Sequence, residues 1–264
     1  MVRATRCLWL MALCGGILAT PLHAAEPVPA GTVVLMTGAA TASSVETMAM
    51  RALKKGDPVY AGDIVSAGPN TYVNLKFSDG GLVLVRPNSR FQIEAFSFAA
   101  ETGTRPDAPT PATGAARTAP AVATAQAEPA APSRAFFRLL RGGLRTVSGL
   151  IGKGNADDYR INTPVATIGI RGTDYWVILC DEKCANDPAL LANLPPGVSP
   201  QGGVIVGVIE GSIFVINEAG KEAVVGEGQY LITLPDGTQI YLPFEPQFIQ
   251  IQPIPDPKTI CTSE

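Results

Sequence analysis

The chain has 264 residues and a formal net charge of −3, from 20 Lys and Arg against 23 Asp and Glu. Its basic residues are scattered, which excludes an electrostatic nucleic-acid-binding face. Hydrophobic residues make up 46% of the chain, enough to build a sizeable core in one large or two small domains.

In chain order, Arg3 and Arg6 precede an apolar run from Leu8 to Leu18, and Pro21 precedes the small residues Ala24 and Ala25. This is the pattern of an export signal spanning residues 1–24 and cleaved after Ala24 or Ala25. The apolar run is short for a membrane span, and no later segment offers one. The expectation is a periplasmic or secreted protein with no transmembrane span after cleavage. Cleavage removes His23, the only histidine, and with it Ser-His-Asp chemistry and histidine-ligated zinc. It also removes Cys7 and Cys14. In an oxidising compartment Cys180 and Cys184 are then a possible disulfide, leaving Cys261 odd; pairing of Cys261 with either is the competing arrangement. Two further ligands would be needed for a metal at CDEKC, so no metal and no cofactor is expected.

Residues 31–98 read as short strands. Gly56-Asp57 and Gly62-Asp63 each mark a tight turn before a β-branched strand. Val73, Leu75 and Phe77 alternate with Asn74, Lys76 and Ser78, predicting one buried and one wet face. Asp79-Gly80-Gly81 turns this strand into Leu82–Val85. Residues 99–133 are rich in alanine, proline and threonine, lack aromatic residues, and cannot bury enough apolar surface to offset ordering; a disordered insertion is expected. Residues 134–151 are read as two strands broken at Gly142-Gly143.

The stretch TPVATIGIRGTDYWVILC, residues 163–180, places charge and glycine inside a run that otherwise reads as a strand buried on both faces. Thr163-Pro164 suits a strand start, and Gly169 and Gly172 mark a bulge or the close approach of another backbone. The expectation is that Arg171 pairs with Asp174, or binds carbonyls freed by a kink, so that the Arg171-Gly172-Thr173-Asp174 cluster pins the kink or meets a partner. Asp187-Pro188 opens a short helix over PALLANL, residues 188–194. Residues 203–243 again alternate as strands and turns, and LITLPDGTQIYLP echoes LKFSDGGLVLVRP. The fold class is all-β: a β-sandwich, or a β-solenoid or double-stranded β-helix, of short hairpins.

The order G-D-x-V-x-x-G-D-I at 56–64, FSDGGL at 77–82, VRPNS at 85–89, LLRGGLRTVSGLIG at 139–152 and TPVATIGIRGTDY at 163–175 resembles the FecR domain. The resemblance covers about residues 31–180, interrupted by the 99–133 insertion, with residues 203–243 as additional β repeats packing on the same domain. It implies an extracytoplasmic β domain that receives a signal from an outer-membrane transporter. In that family a cytoplasmic N-terminal helical segment relays the signal to a sigma factor. Here only a few residues precede the apolar run, so regulation of a sigma factor is not expected.

The leading functional expectation is a non-catalytic exported module that binds an envelope protein or a polysaccharide. A structural or adhesion role at the surface is the second. The third is a glycan-active enzyme using two carboxylates among Asp57, Asp63, Asp79, Asp157, Asp158 and Asp174. No spacing singles out a pair, and aspartate beside glycine ordinarily serves its own turn.

Overall fold

The computed structural model describes residues 27–99, 132–251 and 254–259. The expected export signal, nearly all of the 99–133 stretch and Cys261 lie outside the described residues.

The described strands join one sheet. The first eight are β1 (Gly31–Met36), β2 (Ala40–Ser44), β3 (Met50–Ala52), β4 (Pro58–Val59), β5 (Asp63–Ala67), β6 (Val73–Phe77), β7 (Leu82–Val85) and β8 (Arg90–Ser97). After the 99–133 stretch come β9 (Arg134–Arg141), β10 (Gly143–Val147), β11 (Tyr159–Asn162) and β12 (Ala166–Leu179). The last four are β13 (Val204–Asn217), β14 (Glu222–Gly226), β15 (Tyr230–Thr233) and β16 (Gln239–Leu242). The chain is thus mostly β and built of short hairpins, as its turn chemistry predicts.

The architecture turns on the two 14-residue strands, β12 and β13, which pair antiparallel over nearly their whole length. On its other edge β12 changes partner: Thr167 and Ile168 pair with β11, whereas Asp174 to Ile178 pair with β10. One arm therefore runs β3-β2-β5-β8-β9-β11 into the first half of β12. The other runs β4-β1-β6-β7-β10 into its second half. β13 repeats the device, with Val204–Gly207 on β15 and Ser212–Ile216 on β14. The sheet curls like a half-barrel, and its two arms enclose the main core.

Period-two alternation fills that core from both arms. Phe77 of β6 meets Phe96 of β8 and Phe137 of β9 at centroid separations of 5.1 and 5.0 Å, and Phe137 also contacts Phe91 and Tyr159. These offset aromatic contacts tie one arm to the other. Because β12 is apolar on both faces, a second core forms outside. Tyr175 and Val177 face the main core, while Trp176 and Ile178 face Leu84, Ile205, Ile232, Leu190 and Ile249. Trp176 stacks on Tyr230 at 6.0 Å.

That outer core is roofed by the 180–202 loop and by the segment beyond β16. In the loop, Cys180 and Cys184 are joined as a disulfide. Two short helices follow, α2 (Glu182–Ala185) and α3 (Pro188–Leu191), after α1 (Leu150–Gly154) earlier in the chain. Asp181 and Asp187 cap α2 and α3 by accepting backbone N–H groups, and Pro188 sits at the start of α3. The roof is completed by α4 (Gln247–Ile251) and the segment Ile254–Thr259.

Three expectations are corrected. β12 starts at Ala166, not at Thr163-Pro164, because Thr163 closes a turn: its hydroxyl donates to the Ala166 carbonyl at 2.8 Å and accepts the Ala166 N–H at 3.0 Å. Asn74 is buried rather than wet, since the 254–259 segment covers it and its Nδ2 donates to the Pro257 carbonyl at 3.0 Å. The 134–151 block supplies β9 and β10 either side of Gly142, but Leu150 and Ile151 begin α1.

The repeated Asp-Gly turns show what burial does to one motif. Asp79 Oδ1 accepts from Gly81 N, and Asp236 Oδ1 accepts from Thr238 N. Exposed Asp236 is lowered below the ordinary carboxylate value by that hydrogen bond. Asp79, 4% exposed between its own turn and α1, is raised above it by desolvation, despite N–H groups from Gly81 and Ile151. A carboxyl raised on folding binds more protons folded than unfolded, so its ionisation costs stability. That loss begins as pH rises through the unfolded value near 3.8 and is complete above the raised folded value. Asp79→Asn, which cannot accept with both atoms, is expected to be less stable at pH 3, with the gap narrowing towards pH 7. Urea midpoints across that range check it, and a gap that widens with pH would refute it.

Candidate functional site

The Arg171–Asp174 cluster lies where the arms diverge. Pairing between β12 and β13 slips between Arg171 and Asp174, with Gly172 at φ +60° and Gly211 opposite at φ +84°. The backbone groups freed there are met locally. Thr173 N donates to Ser148 Oγ at 2.8 Å, Ser148 N to the Thr173 carbonyl at 3.0 Å, and Thr173 Oγ1 to the Ser212 carbonyl at 2.7 Å.

Arg171 takes no part in this. It stays in register with Ser212 ahead of the slip, and it is exposed. The partner of Asp174 is Arg145 of β10, which stands diagonally across from it because Val147 is opposite Asp174 and Arg145 opposite Trp176. Arg145 Nε and Nη2 donate to Asp174 Oδ1 and Oδ2 at 2.9 and 3.0 Å, a bidentate pair with side chains 10% and 3% exposed. The expected Arg171–Asp174 pair is therefore replaced by Arg145–Asp174. Arg145 carried a signal in the sequence, a lone charge in the otherwise apolar or small-polar GGLRTV block.

Thr163 and Pro164 of the same motif stand elsewhere, at the β11–β12 turn, where they line a groove of about 390 Å³. Arg138, Arg160, Asn162, Thr167, Asn217 and Glu218 complete its walls with Ala166 and Ile216. Gly169 lies one step along the same face under the ring of Phe214, which leaves no room for a side chain. The motif thus divides: Thr163 and Pro164 meet the groove, while Arg171 to Asp174 form the seam.

The groove is internally braced. Glu94 of β8 accepts from Arg138 Nε and, at 2.7 Å, from Asn162 Nδ2; Thr167 Oγ1 donates to Asn162 Oδ1 at 3.2 Å. Asn217 is fixed by Gly237 and Lys221. Arg160 lies over the Phe136 ring at 3.8 Å, a stacked cation–π contact that orients its fork of donors. Among the described residues Arg160 has no carboxylate within ion-pair distance, so it can present a bidentate donor to an oxyanion. Its size suits a sugar-sized or side-chain-sized group. Arg138, Arg160 and Glu94 were not legible as a site, since three strands distant in sequence assemble them.

The candidate carboxylates are dispersed in structural tasks. Asp63 holds Arg51 at 2.6 Å, Asp57 accepts from Lys54 N, Asp79 braces α1, Asp174 holds Arg145, and Asp157 and Asp158 lie in a short 3-10 turn. Among the described residues no helix is long and apolar enough to cross a membrane.

No family model matches the sequence, and no curated protein does. Two crystal structures of a candidate anti-sigma factor from Parabacteroides distasonis ATCC 8503 superpose with TM-scores of 0.42 and 0.41 at 9% and 10% identity, covering 71% of this chain. The chain spans 62% of their length. A cell surface anchoring domain aligns at 30% identity over 24% of this chain and 82% of its own, with a TM-score of 0.23.

Proposed function

We propose that this chain is a non-catalytic, exported cell-envelope module of the FecR type, and that its groove between β9, β11 and β13 holds a partner protein or polysaccharide. The observation that carries this reading is the division of labour between two arginines. Glu94 neutralises and fixes Arg138, whereas Arg160 is oriented by Phe136 with its charge left available. Such a preorganised fork favours binding of an oxyanion-bearing group. The export-signal pattern and the FecR-like motifs support an envelope setting.

The test is crosslinking in cells from a photoreactive residue replacing Thr167 in the groove, with one replacing exposed Lys76 on the other arm as control. Adducts to a defined protein or glycan from Thr167 alone support the reading. Equal adducts from both positions would refute it. Arg160→Ala is expected to weaken the captured interaction about tenfold or more, the loss of a charge-assisted hydrogen bond. Retained affinity would exclude the groove.

A further inference from the structure

A second site lies over the seam and is already occupied. The segment Ile254–Thr259 crosses it as a strap read at alternate residues. Ile254, 8% exposed, enters the outer apolar core beside Trp176 and Ile178. Asp256 lies 3.7 Å from Arg145, and Lys258 Nζ lies 3.4 Å from Asp174 and 3.7 Å from Glu210. Two strap carbonyls are read as well: Arg145 Nη1 donates to that of Ile254 at 3.3 Å, and Asn74 Nδ2 to that of Pro257 at 3.0 Å. Pro255 and Pro257 restrict φ and remove two N–H donors, and a turn closed by Asp256 meets the N–H groups of Lys258 and Thr259, so the segment is stiff and these donors are met within it.

The slot and its occupant differ in kind. Asn74, Arg145 and Asp174 are buried, and Arg145 and Asp174 neutralise one another without help from the strap. The strap's own charges are half-exposed or nearly so, at 34% and 46%, and its ion pairs are long. Departure of the strap leaves the slot charge-balanced and shaped. We propose that this slot is a peptide-recognition site for a proline-spaced segment of a partner protein that turns after its acid and carries an apolar residue, an acid and a base at alternate positions. The strap is its resident competitor.

The test uses a fluorescent peptide of sequence PIPDPKT and the full chain, unaltered or carrying Asp256→Lys with Lys258→Asp to weaken the strap. The peptide is expected to bind the double variant roughly tenfold tighter than the unaltered chain, and the charge-exchanged peptide PIPKPDT to bind neither. Equal binding to both chains, equal binding of both peptides, or no binding to the double variant would overturn the proposal. Because the variant chain could misfold, amide exchange over residues 254–259 of the unaltered chain is the second readout. Excess PIPDPKT should speed it several-fold and PIPKPDT should not; an unchanged rate with PIPDPKT counts equally against the slot.

Discussion

Asp174→Ala is expected to destabilise the protein by about 3–5 kcal/mol, while Arg171→Ala, three residues away, stays within about 0.5 kcal/mol of the parent. The contrast follows from burial. Removing the Asp174 carboxylate strips the 2.9 and 3.0 Å contacts from an Arg145 guanidinium enclosed by β7, β12 and the strap. A buried charge that keeps only the long 3.7 Å contact to partly exposed Asp256 must then either remain largely desolvated or open the seam to water. Arg171 already stands in water, so its loss removes no such contact. Unfolding midpoints in urea measure both. A small loss at Asp174 together with a large one at Arg171 would restore the pairing that the sequence suggests.

The second large effect is expected at Gly211. Its φ of +84° is a left-handed conformation, and a Cβ there would lie 2.5 Å from the Gly172 carbonyl oxygen. That oxygen belongs to backbone held in the β12–β13 ladder, so it cannot rotate aside as a side-chain tip would. Gly211→Ala should therefore cost about 2–4 kcal/mol, the sum of left-handed strain and overpacking. Gly220 is the control: its φ is +77°, but nothing lies within 4 Å of its ideal Cβ. Gly220→Ala should show the conformational part alone, about 1–2 kcal/mol. Equal melting-temperature losses for the two variants would show that the close approach of Gly211 to Gly172 is relieved without cost.

Most of the local structure was legible because it is enforced locally. The Asp79-Gly80-Gly81 turn, the break at Gly142-Gly143 and the Asp187-Pro188 helix start each follow from residues adjacent in sequence. The kink at Gly172 was legible too, since glycine and charge inside an apolar strand conflict with an ordinary ladder. What supplies the charge there was not. Arg171 is the nearest base in sequence, but it stands exposed ahead of the bulge, in register with Ser212, and the answer comes from β10, whose register against β12 no short-range signal encodes. The same holds for Asn74, whose polar alternation was sound and whose burial comes from a segment 183 residues away. The groove joins Glu94, Arg138, Arg160 and Thr167 from four strands, so composition gave no hint of it.

The β12–β13 ribbon has a consequence for how the molecule comes apart. Each arm of the sheet borrows half of β12, β13 pairs along both halves, and the two long strands are continuous through the bulge. Neither arm can shed its pairing without exposing an edge and a core face of the other, so the parts before and after the 180–202 loop should melt as one thermodynamic unit. Calorimetry should then give a single endotherm whose measured enthalpy matches the van't Hoff value, although the chain reads as one β block followed by further repeats.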